Sequence, residues 1–168
     1  MKKPLVNIDD LEFNDIEDNG LFTSKRALFS AAIGARKLGY NLTELEPGKS
    51  QCPFHSHREE EEMFFILSGQ GELRFGEQRF PLRANDVIAC PTGGAEVAHQ
   101  ITNTGISPLR YLSISTLSST EICEYPDSQK IAVFATTSPT SGVRRMFRSE
   151  TSVDYYDRET TDLPNENS

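Results

Sequence analysis

From about Tyr40 onward the chain becomes a succession of short β-rich runs: LGYNLTELEPG, EMFFILSGQG, GELRFGEQRFPL, DVIACP, VAHQITNTG, PLRYLSIST and KIAVF. Gly, Pro or Asn separates most of them. Several short strands at close spacing, with turn residues between, specify an all-β sandwich or barrel. Gly76 in RFGEQRF marks a hairpin. Side chains of a strand alternate between its faces, so Glu62, Phe64 and Ile66 share one side of their run and Met63, Phe65 and Leu67 the other.

A chain of 168 residues that is 36% hydrophobic suffices for one domain with a proper core and is short for two. The segmentation predicts an N-terminal arm over 1–35, a barrel over 36–134 and a C-terminal tail over 135–168. The tail is rich in Ser, Thr, Asp and Glu, and its tip, DLPNENS, is expected to be disordered. Residues 24–39 fit a helix with Ser24 as cap and Gly39 as stop, but Gly34 in the middle opposes it, so this segment stays ambiguous. A net charge of -8 and a pI near 4.9 argue against a nucleic-acid partner, which would demand clustered Lys and Arg. No membrane partner is expected either: there is no basic helix, and MFFIL, the longest apolar stretch of the motif region, is far below the ~20 residues that span a bilayer. The start, MKKPLVNIDD, lacks the apolar stretch of a secretory signal. Cys52, Cys90 and Cys123 are few, odd in number and widely spaced, which suits a reducing cytoplasm.

The chain has three histidines, and two of them sit one residue apart in HSHREEEE. At i and i+2 of an extended strand, His55 and His57 point to the same side, the geometry a metal requires. Four residues later Glu62 opens a strong apolar run. His99, the third histidine, follows a glycine-rich turn in NDVIACPTGGAEVAHQITN. Glu59, Glu60 and Glu61 read as a solvated loop, Cys52 and Cys90 as packed thiols, and Phe64, Phe65, Phe75 and Phe80 as core.

This pattern resembles the cupin superfamily. Its first motif is G, five residues, H-x-H, three or four residues, E, six residues, G; here Gly48 is followed by six residues, then His55-Ser56-His57, four residues, Glu62, six residues and Gly69. The second motif is G, five residues, P-x-G, two residues, H, three residues, N. Here it reads Asn85, five residues, Pro91-Thr92-Gly93, five residues, His99, three residues, Asn103. Asn85 replaces a glycine with the residue that next best tolerates a left-handed turn. Three extra residues lengthen the turn before His99. The resemblance covers roughly residues 36–134 and implies a double-stranded β-helix, a small jelly-roll barrel, in which His55, His57, Glu62 and His99 hold one divalent metal. Three imidazoles and a carboxylate suit Zn, Mn, Fe, Ni, Co or Cu.

The wider resemblance, including KLGYNLTELEPG and EYPDSQK, is to small bacterial cupins of the mannose-6-phosphate isomerase-like or sugar-phosphate isomerase-like group. It implies a small-molecule ligand or substrate and leaves three functions open. These are a metal-dependent isomerase or epimerase on a small polar carbonyl compound or sugar phosphate, an Fe(II)-dependent dioxygenase, and a non-catalytic small-ligand-binding protein. No residue is assigned a catalytic role. A phosphate would need cations near the metal, and the inward or outward direction of Arg74, Arg79 and Arg110 cannot be carried across the turns. The polar arm, and the RRMF and VDYY pieces of the tail, predict a homodimer that covers open sheet edges.

Overall fold

The computed structural model describes residues 3–138 and 141–160; the tip DLPNENS lies outside the described residues. In chain order the strands are β1 (Asp15–Asn19), β2 (Phe22–Leu28), β3 (Leu38–Leu45), β4 (Ser56–His57), β5 (Glu62–Ser68), β6 (Gln70–Phe75) and β7 (Gln78–Arg83). There follow β8 (Val87–Cys90), β9 (His99–Thr102), β10 (Leu109–Thr116), β11 (Thr120–Tyr125), β12 (Lys130–Ser138) and β13 (Ser141–Arg148). The strands pair antiparallel in three sets, β1-β2-β3-β10-β5-β8, β13-β12-β11-β4 and β7-β6-β9. This is the expected all-β double-stranded β-helix.

The alternation read in EMFFILS decides which faces are buried. Phe64 and Ile66 of β5 point inward and meet Leu45, Leu73, Leu82, Ile88, Ile101, Leu109 and Tyr111 in the barrel core. Leu67 takes the opposite face and packs, with Leu112 and Tyr40, against Ala27, Phe29 and Leu42. Val6, Ile8, Leu11 and Phe13 of the N-terminal segment cover that second cluster, so residues 6–13 lie on the chain's own barrel. Phe80 departs from its expected core role: on β7, whose residues are mostly exposed, it keeps 43% of its surface in solvent.

The helix weighed for residues 24–39 does not form. Residues through Leu28 are strand β2, paired with β3 from Lys25↔Glu44 to Leu28↔Asn41. A short turn follows, in which the Ala35 N–H donates to Ser30 O (3.0 Å), and Gly34 at φ +97° ends it. Local propensity lost to tertiary pairing, because β2 completes a ladder whose partner strand already exists.

Two turn residues behave as their chemistry requires. Asn85, which stands where the motif has glycine, takes φ +74° and donates its N–H to Ile66 O at 2.8 Å. Gly69 takes φ +89°, and a Cβ there would lie 2.5 Å from Pro108 O, so the turn between β5 and β6 demands glycine twice over.

Candidate metal centre

Backbone pairing brings the four expected ligands together. His55 and His99 form an isolated bridge, the His99 N–H donating to His55 O at 2.7 Å and the His55 N–H to His99 O at 3.2 Å. His57 lies on β4 opposite Cys123 of β11, and Glu62 opens β5. The three imidazole Nε2 atoms converge on one oxygen: Glu62 Oε2 lies 2.8 Å from His99, 3.4 Å from His57 and 3.8 Å from His55. Ligand atoms of His55, Glu62 and His99 all lie within 4.8 Å of one another. His57 stands slightly apart, joined to the group through Glu62.

The far side of each ring explains this aim. His55 Nδ1 lies 2.9 Å from Pro53 O, so its proton sits there and Nε2 carries the free lone pair. His99 Nδ1 faces Val97 O at 3.4 Å. His57 Nδ1 lies between Cys123 Sγ at 3.3 Å and Glu121 Oε2 at 3.5 Å, while its buried Nε2 has no hydrogen-bond partner. A buried ring nitrogen left orphaned, beside two others held in the same sense, fits a bound cation, because ligating histidines carry their second nitrogen on a carbonyl or carboxylate. Three neutral nitrogens and one carboxylate oxygen match a borderline divalent metal with open positions.

The electrostatics of His55 and Glu62 agree with that donor set, whereas His57 carries a proton in the metal-free chain that coordination would displace. Burial pushes His55 down to about 4, and the neighbouring His99 adds to the shift, so the ring is neutral and able to coordinate at pH 7. Burial opposes the charge of Glu62, but contacts with His57 and His99 outweigh it and hold the carboxyl well below the usual range. For His57 burial acts downward, and the contacts with Cys123 and Glu62 outweigh it, raising the pKa.

The four side chains line a cavity of about 180 Å3 together with Gln51, Cys52, Phe64, Gln100, Ile101 and Tyr111. Ligand pockets commonly run from ~300 Å3 upward, so only a small molecule fits here. Among the described residues no Lys or Arg lines it. The three arginines left undirected by the sequence are engaged elsewhere: Arg74 grips Asp127 through two bonds of 2.6 and 2.9 Å, Arg79 pairs with Glu72, and Arg110 Nε lies 3.8 Å from Glu44.

The lengthened turn before His99 does not displace it, since the extra residues coil into a single 3-10 turn, Ala95–Val97. The Gly93 N–H donates to His57 O at 2.8 Å, tying this turn to the first motif. Glu59 and Glu61 are exposed and Glu60 half-buried, none of them within the cavity lining. Sequence reasoning missed Glu121, Cys123, Gln51 and Tyr111, and it took Cys52 for a packed thiol. Cys52 lines the cavity, with Sγ 3.6 Å from His55 Nδ1, and burial pushes its thiol up to about 12. No motif spacing marks these residues.

Comparison with known proteins places the architecture. Residues 41–115 match the family described as Cupin domain. An oxalate-binding protein of Thermotoga maritima is 37% identical over 71 residues, 42% of this chain and 55% of that protein. Auxin-binding protein 1 of Arabidopsis thaliana is 32% identical over 134 residues, 74% of this chain and 65% of the relative. The chain thus spans little more than half to two thirds of the length of these curated relatives. Among solved structures, a provisionally assigned sugar phosphate isomerase of Acidithiobacillus ferrooxidans superposes with a TM-score of 0.80 at 24% identity. That match covers 90% of this chain and 96% of the other. With the double-stranded β-helix, both histidine motifs and the family match in agreement, residues 41–115 form a cupin domain.

Proposed function

We propose that His55, His57, Glu62 and His99 hold one divalent transition metal, one of Mn, Fe, Co, Ni, Cu or Zn, and that the protein acts there on a small polar carbonyl compound as an isomerase or epimerase. The observation that carries this reading is the convergence of three Nε2 atoms on Glu62 Oε2 within the cavity. A bound divalent metal supplies Lewis-acid polarisation of a carbonyl oxygen. The remaining work falls to the chain. Pro53 O and the Cys123 and Glu121 side chains keep the rings aimed, while Phe64 and Ile101 give the site apolar walls. Gln51, whose Oε1 accepts from the Tyr111 hydroxyl at 2.9 Å, offers an amide to a polar substrate. Glu62 is the one carboxylate in the described cavity lining, and it already serves as a ligand. With no cation in the lining, a sugar phosphate is accommodated only with its phosphate outside the cavity. The high structural similarity to the provisionally assigned sugar phosphate isomerase supports a sugar-like substrate.

A second reading, binding without turnover, has its own support. Apart from the four ligands, the polar lining consists of two amides and the Cys52 and Tyr111 groups, both kept neutral by burial. The sequence relative from Thermotoga maritima binds oxalate.

Element analysis of protein purified without added metal tests the centre, with about one metal per chain expected and most of it lost in folded His57→Ala. A fully metallated His57→Ala protein ends the assignment. Deuterium uptake from solvent at the carbon beside the carbonyl of simple sugars and their phosphates then separates the readings: uptake supports the isomerase, and binding without uptake supports the carrier. Iron with oxygen consumption would instead install a dioxygenase. We further infer a homodimer in a reducing cytoplasm, supported by exposed Ile16, Leu28, Met146 and Phe147 and by three free thiols. A monomer by light scattering removes the dimer.

A further inference from the structure

Glu121 is a carboxylate with 6% exposure behind the His57 ring, outside the cavity lining, and it belongs to neither histidine motif. Its partners are almost all backbone. Oε1 accepts from the N–H of Arg58 at 2.9 Å, Glu59 at 3.2 Å and Ile122 at 2.7 Å, and Oε2 accepts from the N–H of Glu60 at 2.7 Å. Oε2 also faces His57 Nδ1 at 3.5 Å. Residues 58–61 are the whole connection between two expected ligands, His57 and Glu62. That connection is one arginine and three glutamates, with no apolar side chain to anchor it. Three of its four N–H groups end on this one carboxylate.

His57, Glu121 and Cys123 could themselves be taken for a second metal cluster, since their donor atoms lie within 4.8 Å of one another. The hydrogen bonding speaks against that use. Three N–H donors crowd Oε1 and a fourth takes one lone pair of Oε2, which leaves a single lone pair on Oε2, on the side that faces His57 Nδ1. A metal at that place would also require Nδ1 of His57, whose release would turn Nε2 away from the role its convergence on Glu62 gives it.

We propose that Glu121 is the positioning residue of the metal centre: it folds the 58–61 connection over itself and accepts the His57 Nδ1 proton, so that His57 Nε2 and Glu62 reach the same point. The inference rests on the metal-binding reading above. Loss of such an outer partner typically weakens metal binding 10–100-fold. Glu121→Gln keeps the shape but turns part of the carboxylate into a donor that faces the same N–H row.

The test is titration of metal-free full-length protein with Co2+, read by its visible absorption, for wild type, Glu121→Gln and Cys123→Ala. Nitrogen-15 NMR of the His57 ring, in metal-free and Zn2+-loaded wild type, is the companion measurement. The expected results are a Glu121→Gln protein that retains its β circular dichroism and binds Co2+ about 10–100-fold more weakly, and a wild-type His57 that carries its proton on Nδ1. A folded Glu121→Gln protein with affinity within twofold of wild type overturns the proposal. So does a larger loss in Cys123→Ala, which would give the role to the sulfur, or two Co2+ per wild-type chain of which Glu121→Gln loses one. Should Glu121→Gln fail to fold, the wild-type spectrum decides alone: metal on Nδ1 with the proton on Nε2 refutes the positioning role. A wild type that takes up no Co2+ defeats the metal reading itself, an outcome distinct from equal binding by both proteins.

Discussion

Asn103→Ala tests how the second motif holds the barrel together. Asn103 is fully buried, and its side chain makes three hydrogen bonds: Nδ2 donates to Leu45 O at 2.8 Å and to Ser107 O at 2.9 Å, while Oδ1 accepts from the Gly105 N–H at 2.9 Å. These bonds fasten the 103–108 turn to the end of β3. Their cost on removal is unequal. Leu45 is completely buried, so its carbonyl loses a partner that water cannot replace, about 1–3 kcal/mol. Ser107 is exposed and Gly105 half-buried, so those two partners can turn to solvent and lose only about 0.5–1.5 kcal/mol each. The total is about 2–6 kcal/mol, a large share of the roughly 5–15 kcal/mol that holds a domain folded. Equilibrium urea unfolding followed by circular dichroism is the assay. With a slope of about 2 kcal/mol per molar, the midpoint should fall by about 1–3 M. A midpoint within about 0.3 M of wild type at unchanged slope would refute the reasoning, because it would mean that the buried Leu45 carbonyl had found water.

Gly69→Ala and Gly48→Ala form a matched pair: both glycines have positive φ, but a Cβ at Gly69 meets Pro108 O at 2.5 Å and Leu109 Cα at 2.8 Å, while at Gly48 it meets nothing within 4 Å. The Gly48 variant should lose about 1–2 kcal/mol from the left-handed backbone alone, and Gly69→Ala about 1–3 kcal/mol more from overpacking against rigid backbone; equal thermal midpoints would contradict this. The two bonds from Arg74 hold the Asp127 carboxyl below its usual 3.8. A depressed carboxylate contributes stability above the unfolded value and loses it as pH falls through the folded one. The thermal-midpoint gap between wild type and Asp127→Asn should therefore be present at neutral pH and shrink as pH falls below the usual carboxyl range, and since Asp127 is half exposed it should stay under about 1 kcal/mol. A gap that widens in acid would reverse the sign of the linkage. Metal affinity, measured by Zn2+ titration, should fall as pH drops from about 7 to about 5, because His57, with its raised pKa, holds a proton throughout that range which coordination must displace; flat affinity would count against ligation by His57.

What the sequence alone determined is what short-range chemistry determines. The alternation in EMFFILS placed Phe64 and Ile66 inside, and the two motifs named four side chains that the fold brings to one oxygen. Asn85 was recognisable as a left-handed turn residue because that preference belongs to the residue and its neighbours, whatever surrounds them. Other features had no local sign. Residues 24–28 carry a plausible helix cap, and only a waiting partner strand made them β2. Arg74, Arg79 and Arg110 lie on strands whose inward face depends on register across several turns, so tertiary structure alone turned them to Asp127, Glu72 and Glu44 and left the cavity without a cation. Cys123 is 66 residues from His57 in the chain, and the pairing of β11 with β4 sets them side by side, bringing Glu121 under the acidic connection. The four candidate ligands could be picked out by motif spacing, because a metal would constrain residue types along the chain. The groups that aim those ligands are chosen by burial and hydrogen bonding between strands distant in sequence, and such contacts exist only once the barrel has closed.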